Sequence, residues 1–168
     1  MGCENIALRS QYQQPLELIG QSAGFKSLKS SLDKVTKSNG RVLLTGPSGA
    51  GKETAARYIH INSNSFNTPL VVVNCATLDA ETADAKLFGV ELNGRLHQMG
   101  LLESAHNGIL FFDEIADLPL AVQARVLRVL VDQSFTRVDG TAAQKVDIRV
   151  ISATAKDLTQ EIERGAFR

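Results

Sequence analysis

Tryptophan is missing from this 168-residue chain, and cysteine, with two residues, is nearly so. Cys3 and Cys75 are too few for a disulfide framework or a cysteine-rich metal cluster. Cys75 follows the apolar run Leu70-Val71-Val72-Val73 and reads as a small buried hydrophobe, whereas Cys3 lies in a polar terminus. No apolar stretch reaches the roughly 18 residues that span a bilayer. The N-terminus has no apolar signal core. Met1-Gly2 opens like a myristoylation site, but Ile6 stands where Ser or Thr is required. Excess charge is also lacking: 18 basic residues balance 18 acidic ones, so no global field draws the chain to nucleic acid or an anionic membrane. These absences exclude a secreted disulfide scaffold, a membrane-spanning protein and a strongly basic nucleic-acid binder. They leave a cytoplasmic globular protein, with any contact to DNA assigned to a domain absent from this chain.

The composition, 43% apolar and 21% charged, suits one domain with a sizeable core. Residues 1–17, with Gln11, Gln13, Gln14 and Pro15, read as a linker or frayed end. From Ser22 the pattern turns helical, with Phe25, Leu28, Leu32 and Val35 at three- and four-residue spacing. Ser38-Asn39-Gly40 stops that helix. Short apolar strands are expected at Val42-Leu43-Leu44, Leu70–Val73, Ile109–Phe112 and Ile148–Ser152. Helices are expected at about 52–61, 79–88, from Pro119 onward with Val122, Val126, Val129 and Leu130 on one face, and finally to about Arg164. Residues 90–104 read as a connecting loop, and 134–147 as a hairpin turning at Asp139-Gly140. Apolar strands alternating with helices argue for an α/β fold with a parallel sheet flanked by helices.

Gly46-Pro47-Ser48-Gly49-Ala50-Gly51-Lys52 fits the pattern G-x-x-x-x-G-K. Glycines let backbone N–H groups turn inward around phosphate oxygens, where side chains would obstruct them. The helix that follows points its positive end at the same anion, and Lys52 adds a mobile charge for the terminal phosphates. The match lies between a buried strand and a helix, the context the motif requires. A bare glycine-rich turn is the plainer reading, and that context argues against it. Ser or Thr normally follows the lysine and reaches magnesium; here Glu53 stands there, able to act through a water, to be helped by Thr54, or merely to favour the helix N-terminus.

Ile109-Leu110-Phe111-Phe112-Asp113-Glu114 is a buried strand that ends in two acids. Ligands of open α/β sheets bind beyond the carboxyl ends of the strands. Asp113 is placed there to hold magnesium, and Glu114 to orient or deprotonate an attacking water. The competing reading is a helix N-cap followed by a first-turn acid.

Together these stretches resemble the AAA+ central domain of bacterial enhancer-binding proteins, the sigma-54 activators. Leu18-Ile19-Gly20-Gln21-Ser22 is similar to the family segment that packs on adenine, and Gly46 through Glu53 to its phosphate loop, where glutamate is the usual residue at 53. Val73-Asn74-Cys75-Ala76 resembles the segment whose asparagine switches the catalytic glutamate. Leu87-Phe88-Gly89 and the run from Glu103 to Ile115 flank the family's sigma-contacting loop. Leu118-Pro119-Leu120, Gln123, Leu127-Arg128-Val129-Leu130, Arg137-Val138, Gly140-Thr141 and Asp147 to Thr154 match again. The resemblance implies binding of ATP with Mg2+, a site built from Ile19, Gly20, the loop Gly46–Lys52, Glu53, Thr54, Asn74, Asp113 and Glu114, and self-association into a ring or dimer. Arg168 matches the first of two arginine-finger positions. The fifth core strand, the second finger and the helical lid are expected to follow it.

Two departures shape the functional expectation. Between Gly89 and Gly100 the family has a longer insertion holding the motif GAFTGA; here the residues are Val90 to Met99, without it. A loop about four residues shorter projects up to roughly 7 Å less. Contact with sigma-54 is therefore doubtful, and Leu96 or Met99 is expected to tuck against the core. This shortening resembles the NtrX-type response regulators. Ala155 replaces the sensor asparagine. The resulting expectation is a nucleotide-gated assembly module of a two-component regulator; the alternative is a conventional ATP-hydrolysing activator. His60, His97 and His106 have no spacing that reads as zinc, and Lys26, Lys29, Lys34 and Lys37 form a solvated helix face. Arg125 and Arg128 face either a neighbouring subunit or solvent.

Overall fold

The computed structural model describes residues 16–64 and 67–168. All but the last two residues of the expected linker lie outside that range. In chain order the elements are α1 (Ala23–Thr36), β1 (Val42–Thr45), α2 (Lys52–Ile61), β2 (Leu70–Asn74), a 3-10 turn (Cys75–Thr77), α3 (Ala83–Phe88), β3 (Val90–Leu92) and β4 (Arg95–Gln98). There follow α4 (Leu101–Ser104), β5 (Gly108–Asp113), a second 3-10 turn (Ile115–Asp117), α5 (Leu120–Asp132), β6 (Ser134–Thr136), β7 (Ala143–Lys145), β8 (Ile148–Thr154) and α6 (Leu158–Glu163).

Strands β1, β8, β5 and β2 form a parallel sheet in that order. Side chains alternate across a strand, and β5 is buried through its apolar length, so it must serve two cores. Ile109 and Phe111 join Ile151, Ala153, Leu32 of α1 and Ala56 and Ile59 of α2 on one face. Leu110 and Phe112 join Val73, Val150, Leu87 and Phe88 of α3 and Val122, Val126 and Val129 of α5 on the other. The expected α/β sandwich is what the chain adopts. The register runs Asn74 beside Asp113 and Thr45 beside Thr154, so all four strands deliver their carboxyl ends to one edge.

Local chemistry sets most boundaries as expected. Ser22 caps α1, its hydroxyl accepting from the Phe25 N–H at 3.2 Å. Pro119 is the residue before α5 rather than its first turn. The helix expected from 79 begins only at Ala83, because the Asp79 carboxylate accepts from Thr82 N and Oγ1 and holds a turn there. Leu28, expected on the buried stripe of α1, is half exposed.

The largest correction concerns residues 90–104. They form not a plain loop but the antiparallel hairpin β3–β4 followed by the short helix α4. The turn is Asn93-Gly94, with both residues at positive φ, 53° and 73°. That is the dipeptide two-residue hairpins prefer, and it was legible in the sequence. Leu96 and Met99 are not tucked in: they are 47% and 54% exposed, and Leu92 is 45% exposed. The hairpin β6–β7 forms as expected, with Asp139 at φ 58° in its turn.

Candidate functional site

The glycine-rich loop leaves β1 at the carboxyl edge. Gly49 and Gly51 hold left-handed backbone, φ 78° and 84°, which L side chains rarely adopt. Gly51 is the cap residue of α2, so the start of that helix faces the loop's interior. Gly46 N–H donates to the Thr154 carbonyl at 3.3 Å and ties the loop to the end of β8. Pro47, Ser48, Gly49, Ala50 and Gly51 are exposed.

Lys52 bends back into this loop. Its Nζ donates to the carbonyls of Gly46 at 2.9 Å and Pro47 at 3.1 Å, and lies 3.3 Å from Glu114 Oε1. The lysine side chain is only 9% exposed, so the pair is shielded and its attraction exceeds that of a surface pair. Glu114 itself has left-handed backbone, φ 53° and ψ 56°, a costly conformation for a residue with a Cβ and one that recurs at functional sites. Its second oxygen, Oε2, accepts from the Ala155 N–H at 2.9 Å. Both oxygens of the expected catalytic carboxylate are thus held, one by the phosphate-loop lysine and one by a backbone amide.

Asp113 ends β5 beside Glu114. Burial first, then the carboxylates of Glu114 and Glu53, hold its carboxyl above the ordinary aspartate range, with Lys52 opposing. Among the described residues no three His, Cys, Asp or Glu side chains are grouped to hold a metal by themselves. The excess negative charge around Asp113 nevertheless suits a magnesium ion, which binds through one or two carboxylates, waters and substrate phosphates rather than an all-protein cage. Glu53 reaches Arg57 at 2.7 Å along the outer face of α2, and Thr54 is exposed one residue on.

Four of the expected residues stand apart. Asn74 is at the same edge, next to Asp113 in register, but its side chain accepts from Ala76 N–H at 3.2 Å and caps the following turn instead of touching Glu114. Ile19 is 86% exposed, and Gly20 lies against the Phe25 ring. Arg168 is exposed, and its backbone N–H donates to Gln123 Oε1 at 3.1 Å. Arg125 is engaged within the chain: it pairs with Asp84 at 3.0 Å, lies 3.9 Å over the Phe88 ring and donates to the Thr136 carbonyl. His60 is buried, with Nε2 2.8 Å from the Thr68 carbonyl. Burial raises the Cys75 thiol to about 12, so it stays protonated and inert.

Sequence reasoning missed the Ala155 amide, because a backbone donor leaves no trace in residue type. It also missed Arg137, which carries the hairpin region. Its guanidinium grips Glu103 through Nε at 3.2 Å and Nη2 at 2.7 Å, reaches Glu91 of β3 at 3.2 Å, and touches Gln144 of β7 at 3.2 Å. The backbone seconds it, with Glu91 N–H donating to Val138 O at 3.0 Å and Val138 N–H to Gly89 O at 2.9 Å.

Comparison with known proteins identifies the family and the fold. The family model described as Sigma-54 interaction domain matches residues 18–168. The chain is 46% identical over 159 residues to the nitrogen assimilation regulatory protein NtrX of Azorhizobium caulinodans, covering 94% of this chain and 35% of that protein. It is 42% identical over 139 residues to the regulatory protein AtoC of Escherichia coli, covering 80% and 30%. Among solved structures it is similar to NtrX of Brucella abortus in complex with ADP, at TM-score 0.86 and 47% identity over 99% of this chain and 37% of the other. The same protein in complex with ATP gives TM-score 0.86 at 44% identity, covering 99% and 38%. A P-loop NTPase domain from Escherichia coli shares the fold at 18% identity and TM-score 0.59. The chain spans about a third of the length of the curated relatives it matches.

Proposed function

This chain belongs to the sigma-54 interaction domain family of bacterial transcriptional regulators, and from that premise we propose that it is an ATP-binding module of an NtrX-type response regulator. In this reading nucleotide controls self-association of protomers into a dimer or ring, in the cytoplasm, and sigma-54 is not contacted. DNA is bound by a domain outside this chain.

The observation that carries the proposal is the position of Lys52 at the mouth of a loop whose glycines hold left-handed backbone, with Asp113 and Glu114 at the adjoining strand end. Phosphates entering the loop compete for the lysine's three donors, and the amides at the start of α2 face the same charge. Asp113 would hold a magnesium ion with help from Glu53; that ion supplies charge neutralisation at the terminal phosphates. Released from Lys52, Glu114 keeps one oxygen on the Ala155 amide and has the other free to orient water. Ile19 and Gly20 would border the adenine, Asn74 would act on Glu114 after a side-chain rotation, and Arg168 would be offered to a neighbour's nucleotide. The relatives with bound ADP and ATP support nucleotide as the ligand.

The hairpin supports the absence of sigma-54 contact. Arg137 holds it at its base through Glu91 of β3, and the stretch from Val90 to Met99 carries Leu92, Leu96 and Met99 with neither Phe nor Thr. A specific observation favours the alternative, a conventional ATP-hydrolysing activator: Glu114 is anchored and aimed at the phosphate loop. Glu114→Gln separates the two readings when phosphate release is measured on the full-length protein. An ATPase loses about 10²–10⁴-fold of its turnover and keeps its nucleotide, whereas an assembly module shows little turnover to lose. ATP-dependent open-complex formation with sigma-54 polymerase would restore the conventional reading, and calorimetry showing no ATP binding would remove both.

A further inference from the structure

We infer that Gln123 is a positioning residue for Arg168, locking the backbone from which that arginine is presented to a second copy of the chain. This rests on the reading of Arg168 given above and adds to it the device that sets the arginine's place.

Gln123 lies in the first turns of α5 and is 7% exposed. Its Nε2 donates to the Leu118 carbonyl at 2.7 Å and the Ala166 carbonyl at 3.2 Å, and its Oε1 accepts from the Arg168 N–H at 3.1 Å. Two carbonyls and one N–H are the complement of a primary amide, which fixes which end is oxygen and uses both of its N–H donors. No carboxylate, hydroxyl or apolar side chain of similar size meets that demand.

The two ties to the tail straddle Phe167, which packs partly buried against the α5 core. Gly165, at φ 70°, turns the chain there, and Ala166 and Phe167 N–H groups both donate to Glu161 O at 2.9 and 3.2 Å. The backbone on either side of Phe167 is therefore held from three directions, while the Arg168 side chain is exposed. The third tie runs to Leu118, immediately after the 3-10 turn Ile115–Asp117 that follows Glu114. One buried amide thus joins the segment carrying the water-orienting carboxylate to the segment carrying the arginine. A long side chain contributes to a neighbour's site only if its root is fixed; misplacement by about 1 Å costs on the order of 10²-fold where geometry matters.

The test uses the full-length protein in five forms: unmodified, Arg168→Ala, Gln123→Met, the double variant and Phe167→Ala. Association of protomers is followed by sedimentation over a range of protein concentrations, with a non-hydrolysable ATP analogue and without it. Nucleotide affinity is measured at dilutions where protomers separate, and each variant is melted. Loss of a charge-assisted contact across the interface weakens nucleotide-dependent association about tenfold to hundredfold in Arg168→Ala. Gln123→Met is expected to reproduce most of that loss, with single-protomer nucleotide affinity unchanged and the double variant no weaker than Arg168→Ala within about twofold. A purely structural role would not give that non-additivity. Phe167→Ala frees the same tail while leaving the α5 sequence and the Gln123 amide unchanged, and decides the matter if Gln123→Met fails to fold. Gln123→Met and Phe167→Ala associating like the unmodified protein, or losses that add fully in the double variant, would overturn the inference and leave the role of Arg168 standing. An Arg168→Ala protein that associates normally, or an unmodified protein that ignores nucleotide, would remove the parent reading and this one with it.

Discussion

The phosphate loop and the β3–β4 hairpin are both connections near chemically important residues, yet they are held in opposite ways. The loop from Gly46 to Lys52 is shaped by its own residues: glycines at positive φ, a helix that starts at its end, and a lysine that bonds two carbonyls within it. The hairpin has a local turn, Asn93-Gly94, but its placement depends on partners far away in sequence, Arg137 and Val138. Its base is closed by backbone: a Cβ on Gly89 or Gly100 would intrude on the other's strand of chain. A connection built from local conformation can be recognised in a motif. One built from tertiary ties cannot.

Breaking the loop should have the largest effect. Lys52→Ala is expected to abolish measurable ATP binding in calorimetry while the chain stays folded with about 1–3 kcal/mol less stability, the loss coming from the bonds of Nζ to Glu114 and two loop carbonyls. Loss of the Lys52–Glu114 pair takes away one shielded contact, and undiminished affinity would defeat the loop assignment. Breaking the hairpin's tie comes next. Arg137→Ala leaves Glu91 and Glu103 facing each other without a cation. It should cost about 2–3 kcal/mol in denaturant unfolding, less than a fully buried pair because these side chains keep some contact with water. Nucleotide affinity should survive it. A loss of binding equal to the loss of stability would mean the two regions are not independent.

Asp113→Asn sharpens the comparison from the other side. The carboxyl is held above its usual range, so its ionised form is disfavoured in the folded chain, and that cost is fully present above the folded value. The amide should therefore raise stability at pH 7 by about 0.5–2 kcal/mol while weakening magnesium-dependent nucleotide binding. The gain should fade as pH drops toward about 4, where the unfolded aspartate also protonates. A melt showing destabilisation at pH 7 would contradict the charge argument. The smallest effect belongs to the hairpin's exposed face: Leu96→Ser should change stability by less than about 0.5 kcal/mol. A larger loss would show that Leu96 is covered after all.

Much of the fold could be read before any coordinates. Helix α2 was expected at 52–61 and is Lys52–Ile61, because phosphate-loop glycines and a C-terminal turn leave little choice. The strands at 70, 109 and 148 run one or two residues beyond their apolar cores, into Asn74, Asp113 and Thr154, since parallel pairing continues as long as neighbours remain in register. The stretch from 90 to 104 reads as a loop because elements of three and four residues are too short to show a periodic pattern, although Asn93-Gly94 marks their turn. For the site, Lys52, Asp113 and Glu114 were named and are brought together. The position of Asn74 at the correct edge but turned toward Ala76 depends on a side-chain rotation that residue order does not encode.

The sequence by itself determined which residues could meet phosphate, since left-handed glycines, a helix start and a strand ending in acids are local properties of consecutive residues. It also determined the sheet, because short apolar runs between amphipathic helices must be covered on both faces. Only the tertiary structure decided that Glu114 is gripped by the Ala155 amide, that Arg137 binds two hairpins to α4, and that Gln123 ties Arg168 to the turn after Glu114. The Glu114–Ala155, Arg137–Glu103 and Gln123–Arg168 contacts each join groups more than 30 residues apart through hydrogen bonds or ion pairs. Their energy depends on distance and angle, which exist only once the sheet has brought the segments together.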